Sequence, residues 1–453
     1  MSSTRLQFLS TISIVALLTS CSQQKDVAKD PRPNVVLIIL DTLRADVLGC
    51  YGSTFGATPE LDAIADEGVR FASVIAPSSW TRPSIGAMLT GLEPRRLGLY
   101  KEIDEILASE FLTLAEVLKR AGYATFGMTA NPNLNALFNF QQGFDEYVDS
   151  HVVFGGMGPE SDAVAHRTAK LAPAREIYAA AQRFARSHDE SPCYLQLVVM
   201  EPHEHFRGDK RLSRTEFDDL FTDTKIPNYL RATRQVSLDT ADFINELRAL
   251  PGWNNTLFVL ISDHGEGLES HPGVPGSKFH GRLLYESHVM VPWILYHPGS
   301  QLPQGTIVEH PVRILDFFPT VLDYLHIPVP QGLDGISLLP LLNGGTVPMP
   351  PYFVTETEFA RHNKIAVYTD AWIYIENRDA HESLNPRELQ QRGGGENGAL
   401  TDLLATNAAA AAPLREYLER WEEEHPKSPP TRPDTPLSDD ERQQLESIGY
   451  LKE

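Results

Sequence analysis

The sequence predicts an α/β fold: a mixed, largely parallel central sheet with helices on both faces, plus a smaller C-terminal α+β subdomain. Three observations carry this. Four short runs are apolar without alternation: NVVLIIL at 34–40, YLQLVVM at 194–200, LFVLIS at 257–262 and VPWILY at 291–296. Runs of this kind, rich in β-branched residues, suit strands buried on both faces of a parallel sheet. Helical patterns lie between them, as a sheet with helices on both faces requires. A Gly/Pro-rich break, PLLNGGTVPMPP at 340–351, then separates this region from a shorter, differently patterned one.

Taken in order, the chain opens with one Arg among its first residues. Phe8 to Leu18 is mostly apolar, and Leu18-Thr19-Ser20-Cys21 follows. The apolar run is too short to span a bilayer and fits a signal-peptide core. Its ending resembles a bacterial lipobox, which implies cleavage before Cys21, lipidation of its thiol and export to the cell envelope. Ser22 after the cysteine points to an outer-membrane destination. Residues 21–33 are polar and suit a tether. The expected organisation is therefore a leader at 1–20, a tether at 21–33, a main domain at 34–345 and a C-terminal subdomain with its tail at 346–453.

Within the main domain, Thr113 to Gly122 has a capping Thr, a Glu three residues later and a Gly stop. Arg234 to Leu250 is a second amphipathic pattern. Beyond the break, Tyr352 to Asn377 reads as a short β meander, Arg392 to Gly398 as a loop, and Pro413 to Glu424 as a helix with Pro in its first turn. Cys50 and Cys193 show no zinc spacing. Two free thiols, or a disulfide in an oxidising compartment, are both open.

The 453 residues carry a net charge of -21. That field repels nucleic acid, so no nucleic-acid partner is expected. An anionic substrate would need a local positive centre, such as a bound metal.

Chemistry concentrates where the strands end. Asp41 closes the first run, Glu201 to His205 the second, and Asp263-His264-Gly265-Glu266 the third. Ligands of open α/β sheets gather beyond the carboxyl ends of strands. Asp41, Asp263 and His264 could face one ion; Asp41 could equally cap a helix. In SWTRPSIGAMLTG, Thr81 precedes a Pro-Ser helix start. It reads as a turn or cap residue, or as a hydroxyl activated by the helix end and by a metal on the same oxygen.

The motif order then resembles the sulfatases of the alkaline phosphatase superfamily. It runs RPNVVLIILDTLRADVLGCYG, SSWTRPS with LTG, LAEVLKRAGYATFGMTANPNL, MEPHEHF, ISDHGEGL, HGRLLYESHVMVPWILYHPG and RILDFFPTVLDYLHIPVPQGLDGISLLPLL. The resemblance implies a metal-dependent hydrolase of sulfate or phosphate esters, and an anionic glycan, lipid headgroup or small-molecule substrate. Residue by residue, it implies Asp41, Thr81, Asp263 and His264 as metal ligands, Thr81 as nucleophile, and His203 and His280 on the substrate side. Lys278 is carried over as a substrate-charge partner.

Two departures matter. The family's paired aspartates are Asp41 and Thr42 here. Its Cys or Ser, which matures to formylglycine, is Thr81, and the Arg of that maturation motif is Ile85. Threonine cannot yield that aldehyde, so formylglycine is not expected. Other members of the superfamily that use an unmodified Thr act on phosphorus, as phosphodiesterases or headgroup transferases. An imidazole among the ligands favours a single Zn²⁺ or Mn²⁺ over Ca²⁺. A phospho-headgroup transferase, or a non-catalytic binding lipoprotein on the same scaffold, are the alternative functions.

Overall fold

The computed structural model describes residues 32–101, 103–149, 172–188, 191–206, 215–271, 273–300, 302–379, 384–393 and 401–447. The expected leader and the tether as far as residue 31, Cys21 included, lie outside these, as does most of the loop expected at 392–398. No helix among the described residues is long and apolar enough to cross a membrane.

The first apolar run is β1 (Asn34–Leu40), buried at every position. It is followed by β2 (Val69–Phe71), β3 (Val74–Ile75), β4 (Ala124–Thr129), β5 (Glu146–Val148), β6 (Cys193–Val199), β7 (Thr256–Ile261), β8 (Met290–Val291), β9 (Trp293–Tyr296), β10 (Thr306–Val308) and β11 (Val312–Arg313). Eight of these form one sheet in the order β10-β2-β9-β7-β1-β6-β4-β5. β1 pairs in parallel with both β6 and β7, and β4 in parallel with β6 and β5. β9 alone is antiparallel to its neighbours β7 and β2. The expected mixed, largely parallel sheet is what forms. β3, β8 and β11 make a small second sheet.

β4 has no uninterrupted apolar run to announce it, because Gly127 breaks the pattern. A Cβ at Gly127 would lie 2.5 Å from the Tyr147 ring, so the glycine is what lets β5 close on β4. The Thr113 helix forms as expected over Leu114–Arg120. Thr113 accepts from the Glu116 N–H, and the Glu116 carboxylate accepts from the Thr113 N–H at 2.9 Å.

Two helices start earlier than the sequence suggests. One runs Pro227–Arg248, with Pro227 in its first turn and Tyr229, Leu230 and Thr233 buried. The other runs Ala408–Glu424, carried upstream by an Ala run, and Pro413 therefore lies inside the helix rather than in its first turn. No disulfide joins Cys50 to Cys193.

The C-terminal sheet is a four-stranded antiparallel meander: β12 (Phe353–Thr357), β13 (Lys364–Tyr368), β14 (Trp372–Asn377) and β15 (Arg387–Gln391). One face carries Val354, Ile365, Val367, Tyr374 and Leu389 against Leu414, Leu418 and Trp421 of the Ala408 helix. Its other face puts Phe353, Ala366, Tyr368, Ile373 and Ile375 into the main core. Leu437 and Leu445 return to that core as well. β12 is an edge strand, yet all five of its residues are buried.

Glu356 on β12 takes a bidentate pair from buried Arg95, at 3.0 and 2.9 Å, and Lys427 lies 3.7 Å away. Removing one member of a buried pair leaves the other charge desolvated. Glu356→Ala is expected to cost roughly 3 kcal/mol in urea unfolding; a loss under about 0.5 kcal/mol would show the pair to be solvated.

Candidate active site

The parallel pairing of β6, β1 and β7 brings their carboxyl ends level, with Leu40 beside Val199 and Ile39 beside Ile261. Asp41, His203 and Asp263-His264 therefore emerge along one edge. Because β9 runs the opposite way, the segment before it returns to the same edge and delivers His280. The helix Thr81–Thr90 points its N-terminus at this place, with Thr81 as its first residue and Trp80 as cap. Thr81 is thus not the cap itself. Asp41 caps no helix either: Thr42 after it takes a left-handed φ of 59°, and the next helical turn begins at Ala45.

Asp41, Asp263 and His264 are completely buried, and their ligand atoms lie within 4.8 Å of one another. The bonds around them are one-sided. Asp263 Oδ1 accepts from the N–H groups of Thr42 (3.2 Å) and His264 (2.9 Å), while its Oδ2 has no hydrogen-bond partner. Asp41 Oδ2 accepts from Asn131 Nδ2 at 2.6 Å, while its Oδ1 has none. His264 Nδ1 meets the Gly265 carbonyl at 2.9 Å. A carbonyl only accepts, so Nδ1 carries the proton and Nε2 offers its lone pair.

That nitrogen lies 3.3 Å from Asp263 Oδ2 and 3.2 Å from Thr81 Oγ1. Burial, and then the neighbouring Asp263 charge, push the Asp41 carboxyl well above the usual range. Burial also lowers His264, which is therefore neutral. Two buried carboxylates, a lone pair and a hydroxyl converging on one point fit a divalent cation.

Asn131 is the residue that sequence reasoning missed. Its Oδ1 accepts from the Asn133 N–H at 2.9 Å, which fixes its NH₂ toward Asp41 and toward Thr81 Oγ1, 3.3 Å away. It follows β4, so the strand-end rule that picked out Asp41 and Asp263 would have found it had that strand been visible. Thr42, standing where a second aspartate was expected, turns its hydroxyl onto the Asp41 carbonyl at 2.7 Å. Ile85, where an Arg was expected, is a buried core residue.

His203 and His280 complete the cluster. Their rings lie 4.9 Å apart, and His280 is 4.8 Å from His264. Each has a carboxylate at Nδ1: Glu204 at 2.9 Å for His203, and Glu266 at 3.0 Å for His280. Burial pushes His203 down to about 3, so it is neutral. Burial alone would raise Glu266; the adjacent His280, with His205 and His203 beyond it, outweighs that and holds the carboxylate at about 2. The structure does not bring Lys278 into this group. Its side chain is 58% exposed, with Nζ 4.0 Å from Glu269. Arg82, beside Thr81, is buried and donates to the carbonyls of Ile103 and Glu105 and to Asn133.

Adding Mn²⁺ or Zn²⁺ to metal-free protein is expected to raise Tm by several degrees, because the cation binds only the folded cluster. Asp263→Asn should abolish that shift. An equal shift in the variant would place the ion elsewhere.

A family model described as Sulfatase matches residues 33–327. An arylsulfatase of Clostridium perfringens is 22% identical, over 79% of this chain and 89% of its own. The N-acetylgalactosamine-6-sulfatase of Canis lupus familiaris is 26% identical, over 71% and 68%. Among solved structures, a phosphonate monoester hydrolase of Agrobacterium radiobacter superposes with a TM-score of 0.66 at 20% identity, covering 87% of this chain and 96% of that one. A 2-O glycosaminoglycan sulfatase superposes with a TM-score of 0.67 at 18% identity, over 91% and 96%.

Proposed function

We propose that this chain, which belongs to the sulfatase family, is a metal-dependent ester hydrolase that uses the Thr81 hydroxyl as its nucleophile and prefers phosphorus to sulfur. The supporting observation is the position of Thr81 Oγ1. It sits at a helix N-terminus, 3.2 Å from the His264 lone pair, and accepts from Asn131. Relatives that act on sulfate esters and neighbours that act on phosphonate monoesters frame the substrate class.

Asp41, Asp263 and His264 would hold the cation, and its charge would lower the hydroxyl's pKa and offset that of the ester. Imidazole in the set favours Zn²⁺ or Mn²⁺. Thr81 Oγ attacks the central atom as the ester's bond to its alcohol oxygen breaks. Asn131 steadies the attacking oxygen. The departing oxygen takes its proton from the side of His203 and His280, whose Nδ1 atoms are oriented by Glu204 and Glu266.

Release of the product separates this residue from formylglycine. A hydrated aldehyde has a second hydroxyl and can expel the bound anion by breaking its own C–O bond. Threonine has one oxygen, so water must attack the central atom and break the bond that Thr81 formed. This double displacement at one centre suits phosphoryl groups. The leader and Cys21 add the reading of an exported, lipid-anchored enzyme of the cell envelope, with an anionic glycan or lipid headgroup as substrate.

The test is a screen of p-nitrophenyl sulfate against phosphate and phosphonate mono- and diesters, with Mn²⁺ or Zn²⁺ supplied. Phosphoester turnover is expected to exceed sulfate turnover, and to fall about a thousandfold or more in Thr81→Ala. Turnover undiminished by that substitution would exclude Thr81 as nucleophile.

A further inference from the structure

β12 lies against both loops that carry the site. The Glu356 N–H donates to the Pro77 carbonyl at 3.0 Å, and Ser78 Oγ donates to the Glu356 carbonyl at 2.7 Å. One residue on, Thr357 Oγ1 donates to the Gly281 carbonyl at 2.7 Å and accepts from the Phe359 N–H at 3.4 Å. The Gly281 N–H in turn donates to the Ser79 carbonyl at 2.7 Å. Gly281 is thus held on both sides, by β12 through its carbonyl and by the Thr81 loop through its N–H.

Its backbone favours glycine strongly. φ is +81°, and a Cβ would stand 2.8 Å from the Phe359 ring. The same ring meets Trp80, the residue before Thr81, at 4.9 Å. The N–H that reaches Ser79 belongs to the peptide that also contains the His280 carbonyl, so this hydrogen bond sets where the His280 backbone stands relative to Thr81.

We propose that Thr357 is a positioning residue for His280: its hydroxyl pins Gly281, and through it the His280 backbone, against the Ser79 carbonyl, so that the C-terminal sheet sets the spacing between His280 and Thr81. The inference rests on the reading above that His280 serves the reaction. It makes β12 part of the active-site frame, not only of a packing subdomain. Thr357 is completely buried, and a valine there keeps the shape and removes only the hydroxyl.

The test uses the full chain with Mn²⁺, on bis-p-nitrophenyl phosphate and p-nitrophenyl sulfate. Thr357→Val is expected to lower kcat by roughly tenfold to a hundredfold, with KM changed by no more than about twofold. Thr357→Ser should restore kcat to within about threefold, because it returns the donor. On a His280→Ala background, Thr357→Val should cost nothing further, since two residues acting through one group are not additive. Amide exchange at Gly281 should quicken about tenfold in Thr357→Val without turnover entering the measurement. A slow His280→Ala beside a Thr357→Val of parental kcat would overturn the positioning role alone. A full additional loss in the double variant would do the same. A His280→Ala of parental kcat would overturn the role of His280 itself, and the positioning role with it.

Discussion

Two carboxylates cannot stay ionised together in a dry interior without a cation, and the site is built around that constraint. Asp41 and Asp263 are brought together by the pairing of β1 with β7, the centre of the sheet. Each has one oxygen satisfied by the protein and one left bare. Had both oxygens been hydrogen-bonded, the pair would be a structural feature stabilised by its neighbours. Leaving one lone-pair set bare on each, beside a neutral imidazole and a hydroxyl, makes the cluster costly by itself and favourable with a divalent ion. The same demand explains the surroundings: an amide aimed by Asn133, a helix N-terminus, and histidines whose second nitrogens face carboxylates.

Much of this was legible in the sequence because parallel strands and metal ligands leave local marks. An apolar run that stops at an aspartate gives both the strand and the ligand, and Asp41 and Asp263 were found that way. His203 stood at a strand end and Thr81 at a helix start, but their roles, and His280 itself, needed the order of motifs. β4 stayed invisible because its signal depends on contacts: Gly127 looks like a break until the Tyr147 ring is seen to fill its place. With β4 went Asn131. Lys278 was placed near the site by sequence proximity to His280, but neighbouring residues on a turning loop point different ways, and its ammonium faces Glu269 instead. The helix starts at Pro227 and Ala408 were missed because burial and an Ala run extended them beyond the patterns that drew attention.

The departures from the family pattern fit one another. Thr42 does not substitute for a carboxylate. Its hydroxyl bonds its neighbour's carbonyl, and its N–H serves Asp263. The ligand set therefore carries one negative charge fewer than a pair of aspartates would give. An imidazole stands among the donors, and the oxygen they converge on belongs to a threonine that cannot be oxidised to an aldehyde. Ile85 sits in the core where a maturation enzyme would require an Arg. Each change supports the proposal of a softer ion and a simple alcohol nucleophile over calcium and aldehyde chemistry.

The return of Leu437 and Leu445 to the main core has a consequence for how the molecule assembles. They share one hydrophobic cluster with Val35 and Ile38 of the first strand. The pairings β1–β6 and β1–β7 already span long stretches of chain, and the helix that carries Leu445 packs back on residues 132–134, a longer stretch still. Closing such loops is slow, because the ordering entropy precedes the reward. During synthesis the central strand must wait, with its apolar faces open, for partners made much later. The chain therefore has a long interval in which a holding chaperone can bind it.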